Sequence, residues 1–256
     1  METAADVVAA AGRVVALTGA GVSAESGIAT FRDAGGAWAQ VDVADVATPA
    51  GYRADPAALW RWYADRRRAM RAAAPNPAHQ ALAAIEARVA DFVLVTQNID
   101  GLHQRAGSRR VLELHGSVEE ARCTGRGHAT PWPDPEPGAP VPPLCPRCGA
   151  RLRPDVVWFG EALPRATVEA AWAAAADCDV LLVVGTSAVV EPAASLPRVA
   201  AAHGAAVVEV NPNHTPLSAV ADHVLGAPAG VVLPALVEAA WGAGGPASPG
   251  EARGRI

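Results

Sequence analysis

The sequence predicts an α/β fold, a Rossmann-like doubly wound parallel sheet carrying a smaller lobe. Three observations predict it. Short valine-rich runs recur along the 256 residues, nearly continuous in apolar character, as strands buried on both faces of a parallel sheet are. Alanine-rich stretches with helix start and stop residues separate several of them. Two segments, 34–76 and 117–153, break the alternation and are each too long for an ordinary connection. They read as insertions, one helical and one cysteine-containing and zinc-ribbon-like, that together make the smaller lobe.

The elements follow in order. "RVVALT" is the first strand and runs into a glycine-rich loop. Pro77 opens a helix that runs to about Val89, and "DFVLVTQN" is the next strand. Asp100 caps a short helix that stops at Gly107. "VLELHG", "VVWFG", "DVLLVVGTS" and "AAVVEVNPN" complete the apolar runs. Pro192 stands in the first turn of another helix, with Gly204 just past its end. Residues 1–33, 77–116 and 154–240 thus form a discontinuous Rossmann-like domain, and 34–76 with 117–153 the small lobe. Residues 241–256 have the composition of a disordered tail.

Composition removes several classes of function. A net charge of -5 without a long basic run argues against a nucleic-acid binder. Glu2, Asp6 and Arg13 interrupt what a secretory signal would need near the amino terminus. The longest uncharged apolar stretch, 180–190, is too short to span a bilayer. A soluble cytoplasmic protein is expected. Of its 4 cysteines, three cluster, which in that compartment points to metal and not to disulfides.

After the first strand, Gly19, Gly21 and Ala24 satisfy the pattern G-x-G-x-x-G/A. Such glycines let backbone N–H groups approach a pyrophosphate, although a tight strand–loop turn needs them too. The acidic residue expected about twenty positions on in an ordinary dinucleotide fold is missing, because that region is the non-strand "AWAQVDVADVATP". A hydride-transferring dehydrogenase is therefore disfavoured. "TQNIDGLHQRAG" puts Gln97, Asn98 and Asp100 at the crevice beyond the strand ends, with a turn role for Asn98 and capping for Asp100 as alternatives. "LELHGS" ends a strand on His115, the side chain best suited to moving a proton near neutral pH. A structural histidine is the alternative there.

"RCTGRGH" and "CPRC" supply Cys123, Cys145 and Cys148. A tetrahedral zinc site needs four ligands, but the position three after Cys123 is Arg126, which cannot bind a metal. His128 is the candidate fourth ligand, against a degenerate loop that has lost its zinc. Cys178 reads as a buried core cysteine.

With "GAGVSAESGIATFRDAGGAW", "TQNIDGLHQRAG", "LELHGS", "VVWFGE", "GTSAVVEPA" and "VNPN" in this order and spacing, the chain resembles the sirtuins over residues 13–236. These are NAD-dependent protein lysine deacylases, and the chain is most similar to the bacterial and mitochondrial branch that removes succinyl and malonyl groups. The resemblance implies NAD as co-substrate and structural Zn2+. It implies acylated lysine side chains of other proteins as partners; composition leads us to expect no nucleic acid and no membrane, and the oligomeric state is left open with a monomer as the expectation. It implies His115 as general base: the acyl oxygen displaces nicotinamide, His115 then activates the ribose hydroxyl, and free lysine and O-acyl-ADP-ribose leave.

The resemblance also implies the binding residues. Gly19, Ala20, Gly21, Ser23, Phe31, Arg32 and Trp38 would wrap the diphosphate and nicotinamide, with Phe31 shielding the reactive ribose carbon. Gln97, Asn98, Ile99 and Asp100 would line the nicotinamide pocket. Gly185, Thr186 and Ser187, then Asn211, Pro212 and Asn213, and lastly Ala229, would hold the adenosine half. Val157, Trp158, Phe159 and Gly160 would pair with the substrate backbone as an added strand.

One stretch, "LWRWYADRRRAM", gathers four arginines. Tyr63 and Arg66 lie three apart, so on a helix they share a face, and members of the acidic-acyl branch carry this pair in their acyl pocket. Guanidinium matches a carboxylate bidentately and a phenol adds a donor; a solvated helix face is the alternative. Arg61, Arg67, Arg68 and Arg71 are expected in solvent, and Ala58 or a small neighbour is expected to leave room for a longer acyl chain. Mono-ADP-ribosyl transfer and a catalytically silent NAD-binding sensor are the competing functions. The first needs no acyl-carboxylate pocket, and the second needs no intact His115.

Overall fold

The computed structural model describes residues 3–30, 42–134 and 138–242. The described strands are β1 (Arg13–Thr18), β2 (Asp91–Thr96), β3 (Val111–Glu113), β4 (Gly116–Cys123), β5 (Ala129–Pro131), β6 (Leu152–Val156), β7 (Val180–Val184), β8 (Ala206–Val210) and β9 (His223–Leu225). Six of them make one parallel sheet in the order β3-β2-β1-β7-β8-β9. The valine-rich runs are strands because they are buried on both faces. In β1, Val14 and Ala16 point into one apolar layer and Val15 and Leu17 into the other, as a period of two requires. Leu17 and Leu182 are fully buried, and burial of each stabilises the fold by roughly 1.5–3 kcal/mol.

Helices cover both faces, as parallel connections require. On one side pack α1 (Ala4–Ala10), α5 (Pro77–Glu86) and α9 (Ala229–Trp241). On the other pack α7 (Arg165–Asp177) and α8 (Leu196–Ala202). Pro77 stands at the first position of α5, and the Asn76 side chain accepts from Ala78 N–H and His79 N–H. The helix stops at Glu86, short of the expected Val89, and its carboxylate then accepts the Arg109 and Arg110 N–H groups. Asp100 accepts from Leu102 N–H at the start of α6 (Leu102–Arg105), and Gly107 beyond it has a φ of 105°. α9 reaches Trp241, one residue into the expected tail; 243–256 lie outside the described residues.

"VVWFG" departs from expectation. It is not a strand of the main sheet: Val156 ends β6, and Val157–Gly160 turn away from any ladder. β6 belongs to a separate antiparallel sheet of order β5-β4-β6. Its apolar residues are buried by aromatic side chains and not by a second parallel layer. Tyr52, Trp60, Tyr63, Trp132 and Trp158 share one cluster with Leu59 and Val118. The helical side of that cluster comes from α2 (Val43–Val46), α3 (Pro49–Ala54) and α4 (Pro56–Ala72). Trp60 and Trp132 stack at 4.2 Å, and Tyr52 Oη donates to the Leu152 carbonyl at 2.9 Å.

Thr18, Thr96 and Val184 are aligned in register, and Val210 beside Val184. The loops after β1, β2, β7 and β8 therefore emerge side by side. Connections run one way from β1 to β2 and the other way from β7 to β8, which opens a crevice at that switch point. Among the described residues no helix is long and apolar enough to cross a membrane.

Candidate active site

A cavity of about 1500 Å3 opens at these strand ends and reaches from Asn211 and Ala229 at one extreme to Tyr63 and Arg66 at the other. Its first wall is built from glycine. Gly19 N–H donates to the Val184 carbonyl (3.1 Å) and Gly21 N–H to the Gly185 carbonyl (2.8 Å). A Cβ on Gly21 would stand 2.8 Å from the Gly185 oxygen. Gly185 has a φ of 59°, and a Cβ there would stand 2.4 Å from the Val22 nitrogen. The two loops touch backbone to backbone, so both glycine sites are forced by their mutual contact. The chain after Gly19 is a 3-10 helix, Ala20–Ser26. Glu25 accepts from Gly230 N–H at 2.7 Å, tying that loop to α9.

Asn98 and Asp100 are organised from behind the wall. Asn98 Nδ2 donates to the Gly19 carbonyl (3.1 Å) and to Ser23 Oγ (3.2 Å), while Ser23 Oγ donates to Asp100 (2.8 Å). Burial pushes the Asp100 carboxyl up, partly offset by Leu102 N–H and Ser23. Ser23 Oγ also meets His79 Nε2 at 3.4 Å. His79 Nδ1 accepts from Asn76 N–H, so Nε2 carries the proton. His103 lies 4.8 Å from His79, ring to ring, and its Nε2 meets Thr18 Oγ1 at 2.9 Å. Burial holds His79 down to about 4 and His103 to about 3. Both rings are therefore neutral at pH 7.

His115 lies where the strand-end reading puts it, on the cavity wall. Its Nδ1 is 2.8 Å from the Gln97 carbonyl. A carbonyl only accepts, so Nδ1 carries the hydrogen and Nε2 is left as a base. Burial draws its pKa below the ordinary value, the Gln97 hydrogen bond opposing in part. Gln97 Nε2 in turn donates to Thr186 Oγ1 (2.9 Å), and Asn211 Nδ2 donates to the Thr186 carbonyl (2.9 Å). Loops that follow three strands are thereby locked together.

At the far end α4 presents Trp62, Tyr63 and Arg66. The Arg66 guanidinium lies over the Trp62 ring at 4.7 Å. Tyr63 is almost wholly buried, and burial pushes its hydroxyl up to about 12, so it remains a donor. Arg67 corrects the expectation of solvated arginines. It pairs with Glu119 at 3.0 Å and lies over Trp132, joining α4 to β4. Arg68 and Arg71 are exposed as expected, with Asp65 and Glu119 as partners. Ala58 is exposed and off the cavity, whereas Ala47 is on its wall.

Cys123, His128, Cys145 and Cys148 converge, with one ligand atom of each within 4.8 Å of the others. Tetrahedral zinc with sulfur at about 2.3 Å and nitrogen at about 2.0–2.1 Å spaces its ligand atoms comparably, and the donor set suits it. Gly125 N–H points at Cys123 Sγ at 3.4 Å, as a thiolate invites. Cys178 is buried and donates to the Ala175 carbonyl.

The cavity wall thus carries Gly19, Ala20 and Gly21; Gln97, Asn98 and Ile99; His115; Val157–Gly160; Gly185, Thr186 and Ser187; Asn211, Pro212 and Asn213; and Ala229. Ser23 and Asp100 are buried just behind it. Phe31, Arg32 and Trp38 lie outside the described residues. Sequence reasoning passed over Trp62, His79 and Glu161. Trp62 had a signal, the i−4 position before Arg66 on one helix, and Glu161 stood at the end of a quoted motif. His79 had none, since its role comes from Ser23, which is 56 residues away.

The Sir2 family model matches residues 19–192. NAD-dependent protein deacylase 1 of Pseudomonas aeruginosa is 52% identical over 248 residues, covering 94% of this chain and 99% of that protein. The NAD-dependent protein deacylase of Thermus thermophilus is 56% identical over 213 residues, 82% of this chain and 83% of that one. Among solved structures, a Sir2 homologue with ADP-ribose matches at a TM-score of 0.87 and 45% identity, covering 92% and 94% of the two chains. A Sir2 complex with a p53 peptide and NAD+ matches at 0.81 and 34%, covering 91% and 95%.

Proposed function

Because this chain belongs to the Sir2 family, we infer that it is an NAD-dependent protein deacylase, and we propose that its preferred substrates are lysines carrying succinyl or malonyl groups. One observation supports the acidic preference above others: Tyr63 and Arg66 stand together on the cavity wall. A guanidinium and a phenol that keeps its proton suit a carboxylate and offer nothing to a methyl group.

NAD, when bound, supplies the ribose that takes up the acyl group and the nicotinamide that leaves. The loops of Gly19–Gly21 and Gly185–Ser187 line the cavity, and small residues there let a diphosphate come close to the backbone. Asn98, held by Gly19 and Ser23, and Asp100 behind it fix the nicotinamide end. Gly185, Thr186, Asn211 and Ala229 receive the adenosine. His115 Nε2 takes the ribose hydroxyl proton, its ring oriented by the Gln97 carbonyl.

The peptide lies along Val157–Gly160. In the free chain, Val157, Trp158 and Phe159 N–H groups are engaged by the His115 carbonyl, Glu161 and the Ala47 carbonyl. A peptide adding as a strand exchanges the Ala47 carbonyl on Phe159 for one of its own. Cys123, His128, Cys145 and Cys148 would hold zinc, which would brace the small lobe. Ligation by thiolates suits the reducing cytoplasm, where we place the protein.

The test is NAD-dependent release of acyl groups from matched peptides bearing acetyl-, malonyl- and succinyl-lysine, by the native protein and by Arg66→Met. The native protein should favour the acidic acyls, and Arg66→Met should cut their kcat/KM by about 10- to 100-fold, the size of a charge-assisted hydrogen bond. Equal preference for acetyl-lysine in both proteins would overturn the acidic assignment and leave a general deacetylase.

A further inference from the structure

Tyr63 has a donor at its oxygen. Trp158 Nε1–H reaches Tyr63 Oη at 3.1 Å. An indole N–H can only donate, so the phenol oxygen accepts here and its own proton is left to point elsewhere. Among the described residues no acceptor takes that proton, although Tyr63 is only 3% exposed. A buried hydroxyl that accepts from Trp158 and, among the described residues, finds no acceptor for its own proton is set to donate to an anionic guest.

Trp158 is itself held on three sides. The Arg153 guanidinium lies over its ring at 3.4 Å from the centroid. Arg153 also makes a two-pronged ion pair with Glu161 at 2.5 and 2.8 Å and donates to the Val156 carbonyl at 2.7 Å. Glu161 closes the loop by accepting from Trp158 N–H at 2.9 Å. The Tyr52 ring packs against Trp158 at 5.5 Å. Arg153 and Glu161 lie eight residues apart, on either side of the tryptophan they hold.

We propose that Trp158, clasped by Arg153 and Glu161, is a positioning residue for acyl selection, acting through Tyr63 by directing the phenol proton toward the substrate's carboxylate. The role rests on the acidic-acyl assignment above. It couples the segment beside the peptide to the pocket that reads the acyl end, so that Glu161, Arg153, Trp158 and Tyr63 work as one chain of contacts.

A double-mutant cycle on Trp158→Phe and Tyr63→Phe tests it, read as the ratio of kcat/KM for succinyl-lysine to that for acetyl-lysine peptides. Trp158→Phe keeps an aromatic ring under Arg153 but removes the N–H together with the five-membered ring, so the comparison with the Tyr63→Phe background is what isolates the hydrogen bond. Alone it should lower the ratio about three- to tenfold, what a neutral hydrogen bond contributes, with the loss in KM for the succinyl peptide. In the Tyr63→Phe background the same change should lower it no further. An equal loss in both backgrounds, or no loss in native Tyr63, overturns the proposal. If the native enzyme shows no acidic preference, the acyl assignment itself has failed, and the ratio in the native protein reports that separately. Should Trp158→Phe not fold, Arg153→Met replaces it with the same two expectations.

Discussion

The two ends of the cavity are made of different materials. The end we propose for the nucleotide is backbone: glycines whose missing side chains let the loops after β1 and β7 touch. The acyl end is side chain, with Trp62, Tyr63, Arg66 and Trp158 from two distant segments meeting in an aromatic cluster. Backbone offers every ligand the same groups, so the first end suits a constant co-substrate. Side chains can be exchanged one at a time, so the second end can be tuned to one acyl group without disturbing the first. His115 lies on the wall of the same cavity.

The division can be broken or sharpened, starting with the largest effect. His115→Ala should lower kcat by about 10^2- to 10^4-fold, the usual worth of a positioned general base, at both acidic and neutral acyls. In the native enzyme the base must be unprotonated, so the rate should fall as pH drops through the His115 pKa. Because burial lowers that value, the acid limb should lie below pH 6.5. An acid limb above it would mean that another group carries the proton.

Next comes Gly185→Val, which places a β-branched residue at a φ of 59° against Val22. About 1–3 kcal/mol of strain should raise the KM for NAD roughly 5- to 100-fold and leave the succinyl-to-acetyl ratio as it was. A changed ratio would show that the two ends are not independent. The smallest effect is removal of metal. Chelation should release zinc, detectable by elemental analysis, and lower Tm by on the order of 5 °C, what about 2 kcal/mol costs a chain of this size. Protein that carries no zinc and does not respond to chelator would leave the four ligands as a hydrogen-bonded cluster only.

Much of the nucleotide end was legible in the amino-acid order because its determinants are local. A valine run followed by Gly-Ala-Gly encodes strand, turn and loop within a few residues, and the strand ends then bring Gln97, Asn98 and His115 into line with it through sheet register. The Tyr63–Arg66 pair was legible for the same reason, since one helical turn joins them. "VVWFG" was misjudged as a main-sheet strand because a buried apolar run reads alike whichever sheet or cluster buries it.

By itself, then, the sequence determined the parallel sheet, its glycine loops, the histidine past a strand end and the four metal-ligand candidates. All of these rest on periodicity or on residues close along the chain. Only the tertiary structure decided that Arg67 is a strut to Glu119 and not a solvated charge, that His79 and His103 are held neutral behind Ser23, and that Trp158 holds the phenol of a residue 95 positions earlier. Each of those depends on which distant side chain fills the space opposite. No local pattern records that partner, because packing selects it only when the whole chain closes around its core.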